Sequence, residues 1–275
     1  MSERVFLQLG VRPDPYPDHI RARLDADAET IVARYSPPSA PDPQMARSAL
    51  LPLLHLVQSV DGYVSPTGIE FCADTLGLTG AEVTAVATFY SMYRREPTGD
   101  YLLGVCTNTL CAVMGGDAIY DALREHVDPR ENRITLTHLE CNAACDYAPV
   151  VMVNWEFFDN QTPETARSLV DDLRAGREVV PTRGASLCTF RETERLLAGF
   201  PDERLGAVEA GGTPGDPTLA GLRVARDAGM TAPFALGPTD AGAAPLGSPE
   251  ANAAEHARDK PAPAPNEAVP PGKGD

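Results

Sequence analysis

Four of the six cysteines in this 275-residue chain form two close pairs, Cys106-x4-Cys111 and Cys141-x3-Cys145, and no other feature restricts the fold as much. The start, MSERVFLQLG, has no apolar h-region followed by a small-residue cleavage site, and no stretch approaches the roughly 18 apolar residues of a membrane span. The chain is therefore expected to stay in the cytosol, where glutathione and thioredoxin keep thiols reduced. In that setting the cysteines read as metal-binding, catalytic or buried groups rather than as a disulfide framework.

The residues around the pairs say how the thiols could meet. After Pro97-Thr98-Gly99, short apolar runs alternate with helical patterns. Strands are predicted over Tyr101 to Val105, Ile134 to Glu140, Pro149 to Trp155 and around Phe157 and Phe158, with helices from Asp117 to His126 and from Thr162-Pro163-Glu164 to a stop at Gly176. The order is β-α-β-β-β-α, close to a thioredoxin-like sheet. Each cysteine pair follows a strand, so neighbouring strands would bring both loops to one sheet edge.

Four thiolates can hold zinc or an iron-sulfur cluster. Zinc knuckles favour two intervening residues, while gaps of three and four suit a larger cluster with two irons, so spacing favours 2Fe-2S over zinc. A thioredoxin-type redox catalyst would need C-x-x-C, and a Rieske centre two suitably placed His, which His126 and His138 are not. Gly115-Gly116 before the Asp117 helix would let backbone N–H groups approach the sulfurs. Asn108, Thr107 and Asn142 could hydrogen-bond nearby sulfurs or shape the turns, and the turn role is the one expected.

The N-terminal part reads as helical. Helices are predicted over Asp18 to Tyr35 and Gln44 to Val60, the second with Leu50, Leu53, Leu54 and Val57 on one face and Asp61-Gly62 at its end. Ser65-Pro66 starts a third, with Ile69, Cys72, Ala73 and Leu76 inward, and Thr79 with Glu82 caps a fourth through Val83, Val86 and Phe89. Acidic residues number 39 against 23 Lys plus Arg, a net charge of −16. That balance argues against nucleic acid or an anionic membrane as partner, and against reading these helices as a helix-turn-helix. It also suits a low-potential cluster. The last stretch, 207–275, is more than half Ala, Pro and Gly and is expected to be disordered; one island, Leu222 to Phe234, reads either as a short docking element or, the favoured reading, as an untethered linker.

Three segments carry a family resemblance: ATFYSMYRREPTGDYLLGVCTNTLC (Ala87 to Cys111), LECNAACDYAP (Leu139 to Pro149) with the following VVMVNWEFFDNQTPE, and the helical run SALLPLLHLVQSVDGYVSPTGIEFCADTLGLTGAEVTAVATFY. Over about Arg34 to Gly176 the chain resembles the E-subunit family of NADH-quinone oxidoreductase, respiratory complex I. That resemblance implies an α+β chain: a helical N-terminal domain, then a thioredoxin-like 2Fe-2S ferredoxin domain with Cys106, Cys111, Cys141 and Cys145 as ligands. It implies one 2Fe-2S cluster exchanging single electrons with FMN on a partner subunit that also binds NADH. Further peripheral-arm subunits would be partners, with the complex on the cytoplasmic face of the plasma membrane. The chain departs from the commonest family pattern at Ala112-Val113-Met114, where a bulkier or basic residue is frequent, and at Asn142-Ala143-Ala144, where Leu-Gly-Ala is frequent.

The resulting division is an N-terminal arm and helical domain over 1–96, the ferredoxin domain over 97–181, a docking segment over 182–206 and the tail over 207–275. Phe190, Leu196, Leu197 and Phe200 are expected on one face of the docking segment. Cys188 and Cys72 are expected to be dispensable thiols, and His138 a core or edge His. No G-x-G-x-x-G follows a predicted strand, and Gly211, Gly212 and Gly215 lie in the tail, so NADH is expected to bind elsewhere. No catalytic side chain is expected here, and the chain would act as one subunit of an oxidoreductase. Two other assignments remain open: the equivalent subunit of an NAD-linked hydrogenase or formate dehydrogenase, and a zinc-stabilised interaction module.

Overall fold

Prolines, glycines and hydroxyl caps set the helix ends in this chain. The computed structural model describes residues 13–204, 207 and 215–230. Two compact units divide the chain, 1–218 and 219–275, and all elements through α9 below lie in the first.

Helix α1 (Asp18–Tyr35) buries Leu24, Ala28 and Ile31. The helix expected over Gln44 to Val60 is instead three pieces: α2 (Pro43–Ala46), a 3-10 turn (Arg47–Ala49) and α3 (Leu50–Asp61). Pro52 explains the break. It has no N–H, and its ring would strike the carbonyl of Ser48 four residues back, so it is accommodated only in the first turn of a new helix. Gly62, at φ 81°, ends α3 in the left-handed conformation that a side chain would strain.

Ser65 caps α4 (Pro66–Leu76) by accepting the Gly68 N–H at 2.9 Å. Thr79 and Glu82 form a full capping box on α5 (Gly80–Phe89), and Arg47 bonds the Glu82 carboxylate at 2.8 Å. Phe89, expected inward, is 79% exposed. Each three-residue step slips the side chain about 60° around a helix, so the buried stripe runs from Val83 to Ala87 and leaves Phe89 outside. Helices α1, α3, α4 and α5 share one core that includes Leu53, Leu54, Val57, Phe71 and the fully buried Cys72.

The second half is a four-stranded sheet, ordered β2-β1-β3-β4. Strand β1 (Tyr101–Cys106) pairs in parallel with β2 (Ile134–Leu139) and antiparallel with β3 (Val151–Val153), which pairs with β4 (Glu156–Phe158). Strand β3 is shorter than the expected Pro149 to Trp155. Asn154 and Trp155 take φ 48° and 70°, forming the tight two-residue turn that joins β3 to β4. The Asn154 side chain supports this turn by accepting the Leu102 N–H at 2.8 Å and donating to the carbonyls of Asp100 and Cys188.

Helices α7 (Gly116–His126) and α8 (Pro163–Arg174) cover one sheet face, where Leu103, Val105, Val151 and Val153 meet Ile119, Leu123 and Val170. The opposite face carries Cys106, Leu139, Val150 and Met152, as the twofold alternation of a strand requires. Within the expected docking segment, α9 (Phe190–Leu197) packs on α3. Its inward residues are Phe190, Glu194 and the following Ala198, whereas Leu197, expected inward, is 38% exposed. Glu194 occurs on the buried side because it has partners there: His55 Nδ1 at 2.6 Å and Trp155 Nε1 at 3.5 Å.

In the stretch expected to be disordered, residues 216–227 form helix α10 (Asp216–Asp227), which buries none of its residues. Leu219, Ala220, Leu222, Arg223, Ala225 and Arg226 are good helix formers, Pro217 occupies the first turn, and Gly229 at φ 62° follows the end. The rest of the expected island, including Phe234, lies outside the described residues.

The Thr79 backbone, followed by Arg47 and the Thr79 hydroxyl, holds the Glu82 carboxyl down from 4.5 to about 2. A depressed folded-state value stabilises the fold above the unfolded value and is lost as pH falls from about 4.5 toward 2. Thermal unfolding of Glu82→Gln should show a lower Tm than wild type at neutral pH, with the gap closing near pH 2. An equal gap at both pH values would disprove this role.

Candidate metal centre

The parallel β1–β2 ladder builds the site. Cys106 is the last residue of β1, rather than in the loop after it, and pairs with Leu139, two residues before Cys141. Both cysteine loops therefore leave one end of adjacent strands. The Cys106 N–H donates to the Val150 carbonyl at 3.1 Å, and Thr107 N–H reaches Leu139 O at 3.4 Å.

After Cys106 the chain turns into α6 (Thr109–Val113), a short helix not expected from the sequence, which carries Cys111 into the interior. Cys106 and Cys111 are each 3% exposed. Gly115 at φ 110° then redirects the chain into α7. Gly116 is required by close approach: a Cβ there would lie 2.5 Å from Cys106 O and 2.9 Å from Cys111 O. The pair was expected to bring backbone N–H groups to the sulfurs; instead the Gly115 N–H donates to Ala112 O at 3.0 Å, and the close approach at Gly116 is to the carbonyls of both cysteines.

Cys141 and Cys145 are exposed, and their sulfurs stand 3.6 Å apart. Two sulfurs each about 2.3 Å from one tetrahedral metal would be about 3.8 Å apart, so this pair stands close to the spacing of a chelate. Ala143 lies between them at φ 55° and donates its N–H to Cys141 Sγ at 3.4 Å. This is the position where the resembled family often has Gly, and the left-handed backbone gives the reason. A non-glycine residue there is strained by roughly 1–2 kcal/mol.

Asn108 neither contacts a sulfur nor caps α6. Its amide donates to Glu140 Oε2 at 2.6 Å and so joins the two cysteine loops. Neither residue belongs to a spacing pattern, so the sequence offered no sign of this pairing. Asn142 Nδ2 is buried and makes no hydrogen bond among the described residues. Burial first, then the Cys106 thiol, pushes the Cys111 thiol up to about 11, while a Val150 backbone hydrogen bond pulls the other way. The Cys145 thiol is raised mainly by its hydrogen bond with Cys141.

All six cysteines are free thiols, and they do not share one site. Cys72 is enclosed by the helical core, and Cys188 lies beside Thr193 Oγ1 at 3.3 Å. His138 is exposed on the edge strand β2, its ring 6.2 Å from that of Tyr120. Among the described residues, no three His, Cys, Asp or Glu are gathered around a point that a single metal ion could fill. The thiols come as two pairs, one buried and one exposed. Two pairs of thiols, four in all, are the donor set that a 2Fe-2S cluster requires.

Residues 28–174 match the family described as thioredoxin-like [2Fe-2S] ferredoxin. The chain is 60% identical over 250 residues to the E-subunit of NADH-quinone oxidoreductase from Mycobacterium tuberculosis (strain ATCC 25618 / H37Rv), covering 84% of this chain and 95% of that protein. It is 35% identical over 154 residues to the protein of the same name from Rickettsia bellii, covering 54% and 89%. It is also 35% identical over 144 residues to NADH-quinone oxidoreductase subunit 2 of Thermus thermophilus, covering 50% and 80%. The 84% match exceeds what residues up to Arg204 can supply, so it extends beyond the stretch from Arg34 to Gly176 that carries the resemblance and into the tail.

Gly116→Ala should force the Cys106 and Cys111 backbones apart, costing about 1–3 kcal/mol of stability and lowering metal uptake. At position 143, Ala143→Gly should change stability by less than about 1 kcal/mol, whereas the β-branched Ala143→Val should destabilise by more. Denaturant unfolding and metal content of the purified variants check both; a neutral Gly116→Ala would show the close approach to be unimportant.

Proposed function

The chain belongs to the thioredoxin-like [2Fe-2S] ferredoxin family, and from that membership we propose that it is the electron-transfer subunit of an NADH-quinone oxidoreductase. Two cysteine pairs at the ends of adjacent parallel strands carry this reading. Cys106 and Cys111 would hold one iron, and Cys141 and Cys145 the other. The 2Fe-2S cluster, when bound, takes up and returns single electrons.

The chain's own residues shape what surrounds that group. Cys106 and Cys111 keep one side away from water, which strengthens every nearby electrostatic interaction. The Ala143 N–H on Cys141 Sγ and the Val150 hydrogen bond to Cys111 favour negative sulfur. Cys141 and Cys145 lie on the exposed side, where a redox partner can approach.

Partner subunits follow from this assignment, and the one that exchanges electrons with this chain is proposed to carry FMN and bind NADH. The chain is proposed to be one component of the oxidoreductase, with the complete active site in its partner subunits. None of the described helices is long and apolar enough to cross a membrane. We place the chain on the cytoplasmic face of the membrane through its complex. The division at residues 96, 181 and 206 belongs to the same proposal. The 60% and 35% identical relatives are NADH-quinone oxidoreductase subunits, which supports this reading over a hydrogenase or formate dehydrogenase module.

Anaerobic reconstitution should give brown protein with about two irons per chain and a rhombic EPR signal of one unpaired electron on reduction. Cys111→Ser and Cys141→Ser should lose most of that iron, while Cys72→Ser and Cys188→Ser keep it. Colourless protein holding one zinc, or equal iron loss from Cys188→Ser, would refute the assignment.

A further inference from the structure

We propose that Arg183 is a positioning residue for the Cys145 turn, held between Tyr147 and Asp159 so that one proposed cluster ligand keeps a fixed orientation. This rests on the reading of Cys145 as a ligand. Cys145 opens a 3-10 turn that ends at Tyr147. The turn is tied by Tyr147 N–H to Ala144 O at 3.1 Å, and by Asn160 N–H to Tyr147 O at 2.9 Å.

The Arg183 guanidinium stands 5.2 Å from the Tyr147 ring centroid and 4.6 Å from that of Phe157. Its Nη2 donates to Asp159 Oδ1 at 2.8 Å, and Asp159 is only 8% exposed. The carboxylate is itself held: Thr182 Oγ1 lies 2.9 Å from Asp159 Oδ2 and accepts the Asp159 N–H at 3.0 Å. The backbone is also ordered in advance, because Thr182 N–H donates to Phe157 O at 2.8 Å and Arg183 forms an antiparallel bridge with Phe157.

A planar guanidinium can meet a carboxylate and two aromatic faces together, which an ammonium cannot. Arg183 therefore connects the outer edge of β4 to the ring at the end of the cysteine turn. Loss of a group that orients a metal ligand without touching the metal commonly weakens the site by about 10-fold or more. If the clamp acts this way, loosening it alters the Cys145 sulfur even when the fold survives.

The experiment uses the full chain, reconstituted anaerobically, as wild type, Arg183→Leu, Arg183→Lys and Tyr147→Leu. The last removes the ring and leaves the Arg183–Asp159 pair. Three quantities are read alongside circular dichroism: the EPR g values, the midpoint potential, and the rate of iron release to a chelator. Arg183→Leu and Tyr147→Leu should both speed iron release by about 10-fold or more and shift the g values and potential, with Arg183→Lys intermediate. Wild-type behaviour in folded Arg183→Leu overturns the proposal. So does an altered Arg183→Leu beside an unaltered Tyr147→Leu, which would confine the effect to the strand edge. Should Arg183→Leu fail to fold, Tyr147→Leu decides alone. Wild-type chain that takes up no cluster overturns the functional reading together with this one, whereas a loaded wild type with indifferent variants overturns this one only.

Discussion

The parallel pairing of β1 with β2 is the interaction on which the site depends. Its register, Cys106 opposite Leu139, starts both cysteine loops at the same level of the sheet. A slip of one residue would turn Cys106 to the other face, because side chains alternate along a strand. Gly104 helps hold this alignment, since a Cβ there would run into the Leu139 side chain. The ladder sets the cysteines' positions, and close approach at Gly116 then brings α7 against their backbones.

Around this ladder the ordered chain keeps distinct apolar cores, one among the N-terminal helices and others on the two sheet faces. Polar contacts join them. Glu194 on α9 is buried and meets His55 of α3 and Trp155 of the β3–β4 turn. A buried carboxylate without partners is costly, so removing either partner would weaken both the α9–α3 packing and the turn. Arg195 adds a two-pronged pair to Asp27 of α1 at 2.7 and 3.1 Å. The segment after the ferredoxin sheet thus returns to the helical layer.

The two cysteine pairs have different environments. Cys106 and Cys111 are enclosed by Val150, Met152 and Leu139, while Cys141 and Cys145 face outward on a loop stabilised by polar contacts. For an electron carrier this combination is physically coherent. The buried side limits water around the charged group, and the exposed side shortens the path to a partner. The acidic balance of the chain, −16 overall, adds a field that disfavours further negative charge at the site.

Much of this protein is legible in the sequence alone. Helix caps at Ser65, Thr79 and Thr162 are local hydrogen-bond problems with local solutions, and the structure contains all three. The β-α-β-β-β-α order and the spacing of the four cysteines were likewise readable, because strand period and ligand spacing are written along the chain. The inward turn of Glu194, the Asn108–Glu140 link, the shortened β3 and the clamp of Arg183 on Tyr147 were not. Each of these depends on groups brought together from distant positions, and a single sequence records which groups exist but not which will meet. By itself the sequence determined most of the elements, though not α6 or α10, the caps at Ser65, Thr79 and Thr162, and the spacing of the two cysteine pairs. Tertiary structure alone decided which pair is buried, which strand register joins the loops and which polar side chains find partners inside, because burial and register are properties of packed surfaces.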